Sequence, residues 1–204
     1  MPTSIDFYFD FISPYGYFAA ERIDALGVRH GRSVRWRAFN MRSVNFHHLG
    51  VDKPLFQAPL KGPYFQQDVP RTARWFGLPY APGSVLDFNP LAAMRAFWWL
   101  CESDAALATS FAKAVFRTFF VEGQEPNTPD AVAAIVAPMA PHLDLDTLRA
   151  HLDSPAARDR LKLETQAAVD AGVWGTPTFI VDGQMFWGAD RLAMLDDWLT
   201  RGGW

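Results

Sequence analysis

The chain has a single cysteine, Cys101, so it can form neither an internal disulfide nor a C-x-x-C redox pair. Cys101 lies in Phe97-Trp98-Trp99-Leu100-Cys101, a setting for a buried core thiol rather than a nucleophile. Apolar runs long enough to cross a bilayer are missing. So is any basic excess: net charge is −3 and the pI about 5.9, whereas a nucleic-acid footprint needs clustered Lys and Arg. The first residues show no basic n-region and place Asp6 and Asp10 inside the apolar stretch, so no secretory signal is expected and the cytoplasm is the simplest compartment. His47 and His48 are adjacent, and His30, His142 and His151 have no ligand spacing with them, so no metal site is expected. No serine stands in a G-x-S-x-G elbow, and no internal repeat or low-complexity segment occurs.

What remains is a chain of 204 residues, half of them hydrophobic. That is enough for one domain, or one domain with an insertion. Its most informative run is Phe11-Ile12-Ser13-Pro14-Tyr15-Gly16-Tyr17. Ahead of it, Ile5, Phe7, Phe9 and Phe11 alternate with Asp6, Tyr8 and Asp10, a strand period. Ser13 and Pro14 then supply the preferred chemistry of an N-cap and a first helical position. A helix start carries unpaired N–H groups and partial positive charge, so it favours an anion such as a thiolate. A simple cap is the competing reading of Ser13.

The chain order reads strand, helix, strand, then a helical block, then strand, strand, helix. The first helix is expected from Pro14 to about Leu26, and the second strand alternates with Val34, Trp36 and Ala38 on one face. This is the pattern of a right-handed parallel βαβ unit. Residues 45–62 read as a loop broken by Pro54, Pro59 and Gly62. A helix is expected over 64–77, with Pro70 starting or kinking it. Further helices are expected over 90–102, 105–121, from Thr128-Pro129-Asp130, over 146–152, and from Ser154-Pro155 to about Ala171. Thr178–Val181 and Gln184–Trp187 form a hairpin around Asp182-Gly183, and a last helix runs from Asp190 to about Thr200. The four strands make one mixed sheet, with the helical block over one end and a cleft between them. Trp98, Trp99, Phe116, Phe119 and Phe120 are spaced as core.

A second local feature is Val173-Trp174-Gly175-Thr176-Pro177-Thr178-Phe179. Proline at a strand entry cannot donate to the ladder. A cis Thr176–Pro177 bond suits such a site, and an extended Thr176 offers its backbone to an added peptide strand. An ordinary trans loop proline is the alternative.

With these motifs in order, the chain resembles the DsbA-like thioredoxin-fold proteins. More closely it is similar to the 2-hydroxychromene-2-carboxylate isomerases and the kappa-class glutathione transferases. Three runs carry the resemblance: residues 6–15 (Asp-Phe-Tyr-Phe-Asp-Phe-Ile-Ser-Pro-Tyr), 172–179 (Gly-Val-Trp-Gly-Thr-Pro-Thr-Phe) and 187–192 (Trp-Gly-Ala-Asp-Arg-Leu). It implies an α/β thioredoxin-like fold (βαβ plus ββα) from 1–44 and 165–204, with an all-helical insertion at 45–164. It implies glutathione as cofactor, a small aromatic keto acid as substrate, and a homodimer. Ser13 then stands where relatives carry a redox cysteine, and its hydroxyl favours the glutathione thiolate. Lys61 matches a lysine for the glycyl carboxylate, Thr176 and Pro177 the backbone site for the cysteinyl residue, and Asp190 a carboxylate for the γ-glutamyl ammonium. Asp52 stands in place of a kappa-class asparagine and Ala189 in place of a serine. These departures, with Pro70, favour the isomerase branch. Asn40, Asn89 and Arg95 are candidates for the substrate carboxylate and carbonyl. Trp174 and Trp187 are candidates for an apolar slot for a flat ring. The alternatives are a kappa-like transferase and a redox-dead binding module.

Overall fold

The computed structural model describes residues 4–81 and 88–204. Residues 1–3 of the first expected segment lie outside them. Four strands form one sheet: β1 (Ile5–Phe9), β2 (Val34–Ala38), β3 (Thr178–Val181) and β4 (Gln184–Trp187), in the order β2-β1-β3-β4. β1 runs parallel to β2, with Phe7 opposite Trp36, and antiparallel to β3, with Phe7 opposite Phe179. The β3–β4 hairpin turns at Asp182 and Gly183, both at positive φ (51° and 75°). That is the tight two-residue turn whose twist matches the strands.

The expected first helix is two: α1 (Pro14–Ala20) and α2 (Ile23–Arg29). The chain leaves helical geometry at Arg22 (φ −128°), whose guanidinium is tied to the Phe76 carbonyl. The expected loop 45–62 is also more structured than its breakers suggest. It contains the end of α3 (Met41–His48) and a single 3₁₀ turn, Leu55–Gln57, and α4 (Lys61–Phe76) begins inside it. α4 passes through Pro70 without ending. Proline removes only one hydrogen bond, to the residue four earlier, and that residue, Gln66, is exposed, so water can meet the freed carbonyl.

Between β2 and β3 the described chain is helical, continuing with α5 (Leu91–Ser103), α6 (Ala105–Phe120), α7 (Pro129–Val136), α8 (Leu145–Leu152) and α9 (Pro155–Asp170). Asp104, Thr128, Asp144 and Ser154 cap four of these helices with side-chain oxygens, as their residue types favour. Helices α5 and α6 of this block pack on one face of the sheet. Phe9 packs edge-on to Phe97 and at 5.8 Å from Phe116, and Phe7 stacks on Phe179. The opposite face is closed by Tyr8, Phe39, Val44, Ala168 and Val173, from β1, the β2 end, α3, α9 and the segment after α9. The expected divisions at 44/45 and 164/165 both fall inside helices, α3 and α9. The last helix is a 3₁₀ turn, Ala189–Arg191, followed by α10 (Leu192–Arg201). Among the described residues no helix is long and apolar enough to cross a membrane.

Candidate functional site

Ser13 ends the extended segment after β1 and caps α1. Its own backbone is extended (φ −95°, ψ 116°), and its Oγ accepts from the Gly16 N–H at 3.1 Å. The hydroxyl donates to the Thr176 carbonyl at 3.4 Å, long for an O–H···O contact. A better acceptor placed at the helix start can therefore take that proton with little loss. Gly16 keeps this corner compact, since a Cβ there would stand 3.3 Å from both the Asp10 carbonyl and the Ser13 Cβ.

The Thr176–Pro177 bond is cis. Thr176 is half-buried, and its N–H makes no hydrogen bond among the described residues. Its Oγ1 accepts from the Asp10 N–H at 3.2 Å. Thus the helix start and the proline loop, 163 positions apart in sequence, meet at Ser13 and Thr176.

Asp10 is missed by sequence reasoning, whose strand alternation gives it a solvent-facing place. Its carboxylate is fully buried; Oδ1 accepts from the Ile12 N–H at 3.0 Å and Oδ2 from the Met41 N–H at 2.8 Å. Its carbonyl accepts from the Ser13 N–H at 3.1 Å. Burial pushes the carboxyl up to about 7, against the pull of those two N–H groups and of the Arg42 charge. No local signal marks Asp10, because its partner Met41 lies on the far side of β2.

Lys61 is the first residue of α4 rather than a loop residue, and no side chain among the described residues pairs with it. It borders a cavity of about 340 Å³ shared with Tyr15, Leu55, Leu60, Tyr64 and Phe65. Since Tyr15 belongs to the first turn of α1, this cavity adjoins the Ser13 end of that helix. Gly62 permits the approach, because a Cβ there would collide with the Phe56 carbonyl. Tyr15, whose motif gives no sign of a partner outside α1, donates its phenol proton to Asp68 of α4 at 2.6 Å. Burial first, and then that bond, raises the Tyr15 phenol above its ordinary value. Burial also pushes the Asp68 carboxyl up, but hydrogen bonds from Arg71, Tyr15 and Tyr64 outweigh it and hold the group below the usual range.

The other candidates separate. Ala189 is buried and Asp190 exposed, in the 3₁₀ turn that packs on α1; the Asp190 carboxylate meets Arg191 at 2.9 Å. Asp52 is exposed in the loop after α3, with no ion-pair partner among the described residues. Trp174 and Trp187 lie against one another, ring centroids 4.2 Å apart, both partly exposed beside the proline loop. Gly175 sits flush on Trp187, whose indole a Cβ would strike. Asn40 spends its side-chain oxygen on capping α3, accepting from the Ser43 N–H at 3.1 Å. Asn89 accepts from the Leu91 N–H at 3.3 Å and donates its own N–H to Asn127 at 2.8 Å. Arg95 donates to the Leu152 carbonyl at 3.0 Å, and burial lowers its guanidinium from its ordinary value. The Asn40 and Asn89 side chains thus cap helix starts, whereas Arg95 keeps a buried Nε without a hydrogen-bond partner among the described residues. Burial pushes the Cys101 thiol up to about 12, so it supplies no thiolate near neutrality.

The sheet order, the cis-proline loop facing a helix start and the inserted helices define a thioredoxin-fold protein with serine at the head of its first helix. The family model of the DSBA-like thioredoxin domain matches residues 4–200, and the chain belongs to that family. It is 28% identical over 197 residues to the 2-hydroxychromene-2-carboxylate isomerase of Pseudomonas putida, covering 97% of this chain and 94% of that protein. A solved structure of a 2-hydroxychromene-2-carboxylate isomerase matches with a TM-score of 0.84 at 29% identity, over 97% of this chain and 94% of that one. Glutathione S-transferase kappa 2 of Caenorhabditis elegans is 27% identical over 213 aligned positions, 96% of this chain and 91% of that protein.

Proposed function

We propose that this protein is a glutathione-dependent isomerase acting on 2-hydroxychromene-2-carboxylate or a similar intermediate of aromatic breakdown. The observation that carries the reading is the Ser13 hydroxyl, buried at the N-terminus of α1 and only loosely engaged by the Thr176 carbonyl. The donor set fits glutathione: a hydroxyl at a positive helix end, and a Thr176 N–H and a lysine that each have no partner among the described residues. When bound, glutathione supplies a thiolate for reversible addition to the conjugated system of the ring-opened substrate, which frees a double bond to rotate before elimination restores it.

The protein's part is to hold and to polarise. The Ser13 O–H turns from the Thr176 carbonyl toward sulfur, a charge-assisted bond stronger than the one it leaves. The partial positive charge of the α1 start adds to the effect. Both favour thiolate over thiol, so glutathione is ionised near neutrality. Thr176 pairs with the cysteinyl backbone as an added strand, Lys61 meets the glycyl carboxylate, and Asp190 meets the γ-glutamyl ammonium. Trp174 and Trp187 offer a flat apolar face beside the same loop for the substrate ring.

The test follows the absorbance of 2-hydroxychromene-2-carboxylate with catalytic glutathione, without it, and with Ser13→Ala. Turnover needs glutathione, and the variant loses about ten- to hundredfold in kcat, the worth of a hydrogen bond to a charged group. Turnover of the variant at the wild-type rate refutes the role of Ser13. Similarity to a kappa-class transferase supports a second reading, in which glutathione is consumed. Titrating free thiol during turnover separates the two, since an isomerase leaves it constant.

A further inference from the structure

The proposed substrate is an acid. In its ring-opened form the carboxylate adjoins the conjugated ketone, a few bonds from the carbon that a thiolate attacks. A cation that holds it must stand close to the Ser13 helix start. Asn40 and Asn89 spend their side chains on helix caps, and Arg95 donates to the Leu152 carbonyl.

Arg42 meets the requirement. Asp10 places it: Oδ1 accepts from the Ile12 N–H at 3.0 Å and Oδ2 from the Met41 N–H at 2.8 Å. Ser13 follows Ile12 and Arg42 follows Met41, so one buried carboxylate clamps the starts of α1 and α3 side by side. Arg42 itself is exposed, and its Nη2 donates to the Phe88 carbonyl at the approach to α5, at 2.9 Å. A guanidinium is a rigid fork of N–H donors that matches a carboxylate. The rest of this fork has no hydrogen-bond or ion-pair partner among the described residues. The Arg42 charge is felt at Asp10, but both Asp10 oxygens are taken by N–H groups.

The place of Arg42 in α3 points the same way. It stands in the first turn, where the partial positive charge of a helix start opposes a cation. No acidic residue shares that turn. Two positive contributions therefore add beside the Ser13 loop, and an anion from outside relieves both.

We propose that Arg42 binds the substrate carboxylate and so selects keto acids over uncharged ketones of the same shape. This rests on the isomerase reading. A tie between α3 and the approach to α5 is the competing role of Arg42, and under it loss of the side chain harms charged and uncharged ligands alike.

The experiment is steady-state isomerisation of 2-hydroxychromene-2-carboxylate at saturating glutathione, with two competing ligands. Benzylpyruvate is a saturated keto acid that cannot take up a thiolate, and benzylacetone is the methyl ketone of the same skeleton. Arg42→Met raises KM for the substrate and the inhibition constant of benzylpyruvate about tenfold each, the range for one charge-assisted hydrogen bond. It changes the inhibition constant of benzylacetone less than about twofold, since uniform burial of the ring is untouched. Equal weakening of both inhibitors, or no weakening of either, overturns the proposal and leaves the isomerase reading intact, because the wild type still turns over. A wild-type protein that does not isomerise the substrate overturns that reading and the proposal with it. Thermal melts accompany the variant; should Arg42→Met not fold, Arg42→Gln, which retains a donor for the Phe88 carbonyl but no charge, decides by the same constants.

Discussion

Replacing Asp10 by asparagine should remove a specific pH dependence of stability. The Asp10 carboxyl is fully buried, and burial raises it from 3.8 to about 7 despite the N–H groups of Ile12 and Met41 and the charge of Arg42. An acid raised on folding stabilises the native state while protonated and ceases to do so once ionised. Its contribution is complete below about pH 4, declines as pH rises, and is gone above about pH 7. Each tenfold change in acidity is worth about 1.36 kcal/mol, so the full span is about 4 kcal/mol. An asparagine side chain at this position keeps the shape and one acceptor but does not titrate. The assay is urea unfolding followed by tryptophan fluorescence, for both proteins, at intervals from about pH 4 to pH 8. Carboxylates held low, such as Asp68 and Asp144, titrate alike in both and cancel in the difference. The expected outcome is that wild type gains on the variant toward acid by up to about 4 kcal/mol. A difference that stays flat over the range refutes the argument, and with it the idea that a buried acid anchors the Ser13 loop.

Two further substitutions test the walls of the site. Gly62→Ala forces a Cβ onto the Phe56 backbone carbonyl. It should cost about 1–3 kcal/mol, as overpacking does, and lower the melting temperature, while an unchanged melt would mean the start of α4 yields freely. Trp187→Ala removes half of the Trp174–Trp187 pair and should raise KM for the aromatic substrate with glutathione affinity unaltered; an unchanged KM excludes the pair as the ring slot.

Much of the fold is legible in local chemistry. The alternation of Phe7 and Phe9 with Asp6 and Tyr8, the caps Ser13, Thr128 and Ser154, and the Asp182-Gly183 turn each encode their element within a few residues. The resemblance to thioredoxin-fold relatives rests on runs of this kind. Local rules misread residues 45–62 and the first helix because packing decided there. Pro54, Pro59 and Gly62 are breakers in isolation, yet Gly62 is the residue that lets α4 start against Phe56. Arg22 breaks α1 from α2 while its guanidinium reaches Phe76, far along the chain.

The site divides the same way. Ser13 and the Thr176-Pro177 pair announce themselves, because a helix cap and a strand-entry proline are chemistries of adjacent residues. Asp10 and Asp68 do not, since each is a carboxylate whose meaning lies in partners from another element: Met41 for the first, Tyr15 for the second. The sequence by itself determined most of the elements, the absence of redox cysteine pairs and the serine at the head of α1. Only the tertiary structure decided which polar groups are buried together. Hydrogen-bond partners across elements are chosen by proximity in space, and sequence spacing carries no record of it.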